Sequence, residues 1–221
     1  MEVINMFTNM GLVQHVKKAL DEKWQYVFGT IGQVLTASII TQKQLQYPNE
    51  INKHLSIIRT FIGKRTVDCV NLIKSYLWWD KNKQDVIYDI KYDKYEGVWM
   101  SADGAFQVAK EKGPIDTMPD IPGICVRYPG HMGVYIGNGE VIEARGTNYG
   151  VIKTKLKERP WTHWLKYPGI EYLDEIENCK RIIQENVGFS NPEGVWKYVD
   201  MHPFAAAWYK QWANSYSKIP G

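Results

Sequence analysis

Apolar side chains in the first part of the chain recur at the three- and four-residue spacing of helices buried on one face. Residues 10–24, MGLVQHVKKALDEKW, set Leu12, Val13, Val16, Ala19 and Leu20 on one side and lysines on the other. Gly29 closes that unit. A second helical pattern is predicted over roughly 31–45, and a third over 49–62 with Ile51, Leu55, Ile58 and Phe61 as its stripe. Gly63 resets the chain before another helix that begins near Cys69 and carries Val70, Ile73 and Leu77. Between 81 and 120, glycines and prolines bracket one short helix, expected at 103–111.

From residue 121 the pattern turns from helical to extended. GICVRY, HMGVYIG, EVIEARG and GVIKTKL are short, rich in β-branched residues and separated by glycines, which predicts antiparallel strands. Asn138-Gly139 is a hairpin signal, and WTHWLKYPGIEY, residues 161–172, supplies one more strand. Helical spacing returns at 173–187, at about 193–200 and at 203–217. Helices followed by a compact sheet predict an α+β domain over 1–172, with a helical C-terminal extension over 173–221.

Composition narrows the classes. A chain of 221 residues with 44% hydrophobic and 23% charged side chains has room for one substantial core. No apolar run approaches the ~20 residues needed to cross a bilayer, so no membrane segment is expected. The N-terminal stretch MEVINMFTNMGLVQHVKKAL lacks the basic-then-apolar pattern of a signal peptide. Action outside a cell would then need cytoplasmic synthesis and non-classical or lysis-dependent release. A net charge of +3 is too small to imply a nucleic-acid partner. Residues 171–221 hold seven acidic and five basic side chains, a net of −2, so residues 1–170 carry +5. Nine tryptophans and fourteen tyrosines fill cores or line grooves for sugars and extended peptides. In the extension, Trp196, Tyr198, Trp208, Tyr209, Trp212 and Tyr216 read either as packing residues, with self-association of the extension as one outcome, or as a polymer-binding surface.

Three widely spaced cysteines, Cys69, Cys125 and Cys179, do not form a disulfide framework. Cys125 lies in a strand and Cys179 in a helix, and both read as packing residues. Cys69 differs. Thr66 or Asp68 can cap the helix that follows it, placing the sulfur in a first turn whose free N–H groups favour an anion and lower a thiol pKa. A buried core cysteine is the competing reading. A nucleophile needs a base, and of the five histidines only His131 follows a Pro-Gly turn and opens a strand. Glu143, on the returning strand, has the parity to orient that imidazole. A tight turn at 138–139 would put the two side chains on opposite faces of the sheet, whereas a wider loop would put them on one face; register decides. No C-x-x-C, no H-E-x-x-H and no close Cys/His pair suggests a metal, so no metal cofactor is expected.

DCVNLIKSYLW at 68–78, followed by HMGVYIGNGEVIEA at 131–144, resembles the NlpC/P60 family of papain-like cysteine peptidases. Its members carry a cysteine in a D-C-S-G-L-like motif, a histidine opening an H-V-G-I-Y-like strand, and a third polar residue twelve positions later. The resemblance, over roughly 10–170, implies a papain-like fold with N-terminal helices packed on a small antiparallel sheet. It implies Cys69 as nucleophile, His131 as base and Glu143 as orienting group, with Tyr26 of YVFGT and Asp68 in the substrate site. Asn71 stands where the family has glycine, and Glu143 where histidine is commoner. The segment 31–66 is longer than a minimal member needs and is a candidate groove wall. By this resemblance the partners are bacterial peptidoglycan peptides and the bond is a γ-D-glutamyl–diamino acid amide. A muramoyl-alanine amidase and a non-catalytic wall-binding module are the alternatives, and a phage lytic enzyme is the context such a chain would fit.

Overall fold

The computed structural model describes residues 7–216. Residues 1–6, and the end of the extension from 217 onward, lie outside the described residues. The chain forms two compact units, Met1–Tyr172 and Leu173–Gly221, and the architecture is α+β.

In the larger unit, helix α1 spans Asn9–Asp21 and is capped by the Thr8 hydroxyl, which accepts from the Gly11 N–H. Strands β1 (Gln25–Tyr26) and β2 (Ile31–Val34) precede α2 (Ala37–Gln46). Two short helices, Pro48–Asn52 and Leu55–Arg59, lead into β3 (Arg65–Val67), which lies between β1 and β2 in a three-stranded sheet. Helix α3 (Asn71–Leu77) follows, then α4 (Ala102–Val108), β4 (Lys112–Pro114), β5 (Cys125–Tyr128), β6 (His131–Gly137), β7 (Glu140–Ala144), β8 (Val151–Lys155) and β9 (His163–Leu165). The last six strands form one antiparallel sheet in the order β8-β7-β6-β5-β9-β4.

Alternation along β6 and β7 divides the core. Met132, Val134, Ile142 and Ala144 face Leu12, Val16 and Ala19 of α1 together with Leu72 and Ile73 of α3. The opposite face carries Tyr135 and Val141, packed with Val126 and Trp161. Burying one Leu- or Ile-sized side chain contributes about 1.5–3 kcal/mol, so the face toward α1 fixes the sheet and leaves the other face for polar work.

The helical pattern expected at 31–45 is divided: residues 31–34 are a strand and helix begins only at Ala37. At Gly32 the backbone has φ +105°, and an added Cβ would sit 3.0 Å from the Trp24 ring and 3.2 Å from Ser75 Cβ. Such a position ends a helix and admits close packing. The single helix expected at 49–62 is two short ones, broken at 53–54. Val27, Leu35, Ile40, Ile51, Ile58 and Phe61 give this inserted region its own small core.

The smaller unit contains α5 (Glu175–Val187), α6 (Pro192–Asp200) and α7 (Ala205–Tyr216) around Cys179, Ile183, Val199, Tyr209 and Ala213. A capping box of Asp174 and Glu177 opens α5.

Candidate active site

Asp68 sets the local geometry ahead of α3. Its side chain accepts from the Asn71 N–H at 2.8 Å, from the Asn71 amide Nδ2 at 2.8 Å and from the Gly29 N–H at 3.0 Å. These bonds fold the turn ahead of the helix rather than cap it. The helix starts at Asn71 with Val70 at its N-cap and no side-chain cap bond, so the cap expected of Thr66 or Asp68 is not formed and Cys69 precedes the helix. Asn71 also donates to the Thr30 carbonyl at 3.0 Å. Asn71 is therefore a strut between the helix and the turn after YVFGT. Burial raises the Asp68 pKa, partly offset by its N–H donors and by Lys74.

Cys69 is buried, and its thiol points toward the Gly130 carbonyl at 3.9 Å. Burial pushes the thiol up to about 12 and the Asp68 charge adds to the rise, against the N–H groups of Val70, Met132 and Cys69 itself. The lowered thiol expected from a first-turn position does not hold: Cys69 precedes the helix, and desolvation and a neighbouring carboxylate outweigh a few backbone donors. Tyr26 is close enough that the charges of Cys69 and Asp68 add to the rise that burial imposes on its phenol.

Gly130 and Met132, which reach the sulfur through a carbonyl and an N–H, flank His131. The turn before them is tethered by Asp103, which accepts from the Gly130 N–H at 3.1 Å and is ion-paired with Arg127. His131 is itself buried, with its ring stacked on Trp161 at 5.7 Å and 11° and on Tyr128 at 5.0 Å.

Register brings Glu143 to His131, by a route that combines features of both sequence alternatives. The turn is tight, with Asn138 and Gly139 both at positive φ and Gly137 opposite Glu140. Immediately inside it the pairing becomes Tyr135 with Val141 and Val134 with Ile142, so one residue, Ile136, is bulged. That extra residue flips the parity and puts His131, Gly133 and Glu143 on one face. At Gly133 a Cβ would meet Trp161 at 3.1 Å, Glu143 Cβ at 3.2 Å and Val141 at 2.8 Å. Only the missing side chain lets the indole and the carboxylate close in.

The Glu143 carboxylate has no exposed surface and bonds His131 Nε2 at 2.7 Å. It also accepts from Arg159 Nε at 2.8 Å and Nη2 at 3.1 Å, and from the Thr154 hydroxyl at 3.0 Å. Burial alone would raise the Glu143 pKa, but the bonds from His131 and Arg159 overcome it and hold the carboxyl below its ordinary range. An ionised carboxylate only accepts, so neutral His131 must carry its proton on Nε2 and leave Nδ1 without one. Arg159 also donates to the Tyr128 hydroxyl at 3.1 Å, which ties down the ring stacked on His131. Arg159 is not singled out as a site residue by the sequence. The RPW stretch at 159–161 follows the last long strand without any motif spacing, and only the fold returns it to β6.

Cys69 lies at a cleft of about 860 Å³ in the larger unit. Gln42, Lys43 and Gln46 of α2 and Tyr47 just after it line the cleft, as do Lys74, Trp78, Tyr88, Trp99 and Met100. The cysteines are all free thiols. Among the described residues no three His, Cys, Asp or Glu side chains converge in a way that could hold a metal ion, and no helix is long and apolar enough to cross a membrane.

No protein-family model matches the sequence, and no curated protein matches it. Among solved structures, the chain is similar to NlpC2 from Trichomonas vaginalis at 16% identity and TM-score 0.42, over 75% of this chain and 49% of that one. It therefore spans about half the length of the Trichomonas protein. It is also similar to the peptidoglycan hydrolase RipB from Mycobacterium tuberculosis, at 15% identity and TM-score 0.38 over 72% of this chain and 65% of that one. A third is the P60 domain of antigen MAP1204 from M. avium subspecies paratuberculosis, at 15% identity and TM-score 0.37 over 72% and 96%. By its own residues the site is a bonded imidazole–carboxylate pair, His131 and Glu143, and a thiol that lines the cleft and points to the carbonyl of Gly130, the residue before His131.

Proposed function

We propose that the protein is a cysteine amidohydrolase that cleaves peptidoglycan stem peptides at the γ-D-glutamyl–diamino acid amide. The observation that carries the reading is the 2.7 Å bond between Glu143 and His131 Nε2. It leaves Nδ1 as the proton acceptor, on a ring whose neighbouring backbone touches the Cys69 sulfur. Motif order and spacing support the substrate class, and a cleft walled partly by the inserted segment suits an extended peptide.

In this mechanism the thiol is protonated at rest, so His131 Nδ1 takes its proton as sulfur attacks the carbonyl. A C–S bond forms and the carbonyl electrons move to oxygen, met by the Cys69 backbone N–H. Collapse breaks the C–N bond, and the imidazolium returns its proton to the departing amine. Water, activated by the same imidazole, then releases the acid from the thioester. Glu143 holds the tautomer and balances the imidazolium, Arg159 keeps Glu143 ionised, and Tyr26 and Asp68 shape the site beside the sulfur.

The test is amine release from a synthetic L-alanyl-γ-D-glutamyl-diamino acid peptide. Cys69→Ala and His131→Ala should each abolish turnover while the folded spectrum is kept. Turnover that survives Cys69→Ala rejects the assignment.

A further inference from the structure

Two ammonium groups line the cleft at Cys69, Lys43 and Lys74. Lys74 is buried and ion-paired with Asp93, which also accepts from the Tyr88 hydroxyl at 2.9 Å. The carboxylates of the lining are engaged as well: Asp103 by Arg127 and the Gly130 N–H, Asp68 by Gly29 and Asn71. Lys43 is different. Among the described residues it has no carboxylate partner; its ammonium donates to the Gln46 side-chain oxygen at 2.9 Å and lies 5.9 Å from the Tyr47 ring. Gln33, Gln42 and Gln46 are the other long polar side chains of the lining.

Partial burial lowers the Lys43 pKa, and the Asp68 charge opposes that fall. This half-buried ammonium thus has neutral hydrogen-bond and ring contacts, with the Asp68 charge acting on it without an ion pair. An anion entering the cleft would gain a charge-assisted hydrogen bond, about twice as strong as a neutral one. The glutamines can donate to the same group or accept from an amide beside it.

We propose that Lys43 determines specificity by binding a free carboxylate of the substrate in the cleft where Cys69 attacks. Resting on the peptidase reading, that group is the α-carboxylate of the D-glutamyl residue whose γ-carbonyl is cleaved. A γ-linkage leaves this carboxylate free and a few bonds from the reacting carbon. Converting it to a carboxamide keeps the shape and removes the charge, so acid and amide peptides form a matched pair.

The experiment compares kcat/KM for the acid and amide forms of one γ-D-glutamyl-diamino acid peptide, in wild type, Lys43→Gln and Lys43→Arg. The acid-to-amide ratio, which cancels any loss of folded protein, should fall about 10- to 100-fold in Lys43→Gln, chiefly through KM. Lys43→Arg should keep most of the preference. A wild-type ratio near unity, or one that Lys43→Gln leaves unchanged, overturns the proposal. If wild type cleaves neither peptide, the peptidase reading has failed and Lys43 is judged by alkylation of Cys69. Iodoacetate and iodoacetamide each form a C–S bond with loss of iodide, and differ in the same charge. The iodoacetate-to-iodoacetamide rate ratio at Cys69, read by peptide mass, should then drop by roughly threefold or more in Lys43→Gln. An unchanged ratio overturns the proposal on this arm too.

Discussion

Arg159→Met leaves the Glu143 carboxylate in place but removes the guanidinium that balances it. Glu143 loses the bonds at 2.8 and 3.1 Å and keeps those from His131 and Thr154. Breaking a buried ion pair from one side costs about 3–5 kcal/mol, because the remaining charge is stranded. Arg159 retains 14% exposure of its side chain and Glu143 none, so water can reach only one partner and the lower end, ~3 kcal/mol, is expected. In urea, with m near ~2 kcal/mol/M, the unfolding midpoint of the larger unit should fall by about 1.5 M at constant m. Glu143→Gln removes the stranded charge, so the double variant should be more stable than the two single losses summed, by ~1 kcal/mol or more. Strict additivity within ~0.5 kcal/mol would refute the idea that Arg159 acts by balancing this carboxylate.

Three further outcomes follow from the same contacts. Gly133→Ala would force a Cβ against Trp161, Glu143 and Val141, costing about 1–3 kcal/mol by thermal unfolding and lowering kcat by displacing the ring and carboxylate around His131. His15 is buried against Ser75, and burial, aided by Lys18 and Arg65, lowers its pKa from 6.5 to about 3. Below pH 6.5 the unfolded chain takes up a proton that the folded chain refuses. Stability should therefore fall by up to ~1.4 kcal/mol per pH unit until pH 3, and His15→Gln should flatten that slope in acid titrations. Because burial holds the Cys69 thiol near 12, its alkylation by iodoacetamide in His131→Ala should still be rising at pH 10. A plateau below pH 9 would show that the site itself stabilises the thiolate.

Much of this was legible in the sequence because its signals are local. The stripe of α1, the strand runs after 121 and the paired motifs around Cys69 and His131 depend on neighbours within a few residues. What was not legible depends on distant chain. Strand β2 contains Ile31 and Val34, three apart as in a helix, and its extended form rests on pairing with Arg65–Val67. The meeting of His131 and Glu143 turns on the bulge at Ile136, which no residue preference in HMGVYIGNGEVIEA announces. Arg159 carries no motif at all, and its value exists only once a buried carboxylate is folded against it. The thiol pKa was misjudged because the helical spacing after Cys69 is visible in sequence, whereas the start of the helix two residues later and the depth of burial beside Asp68 are not.

The most direct measurement is mass analysis of the products formed from purified, chemically defined muropeptides by the wild-type protein and by Cys69→Ala. The account predicts stem peptides cut after D-glutamate, with a new free amine on the diamino acid, and no such products from the variant. Release of intact stem peptide from muramic acid would make the protein an amidase instead. No cleavage by folded protein under reducing conditions would contradict the central claim.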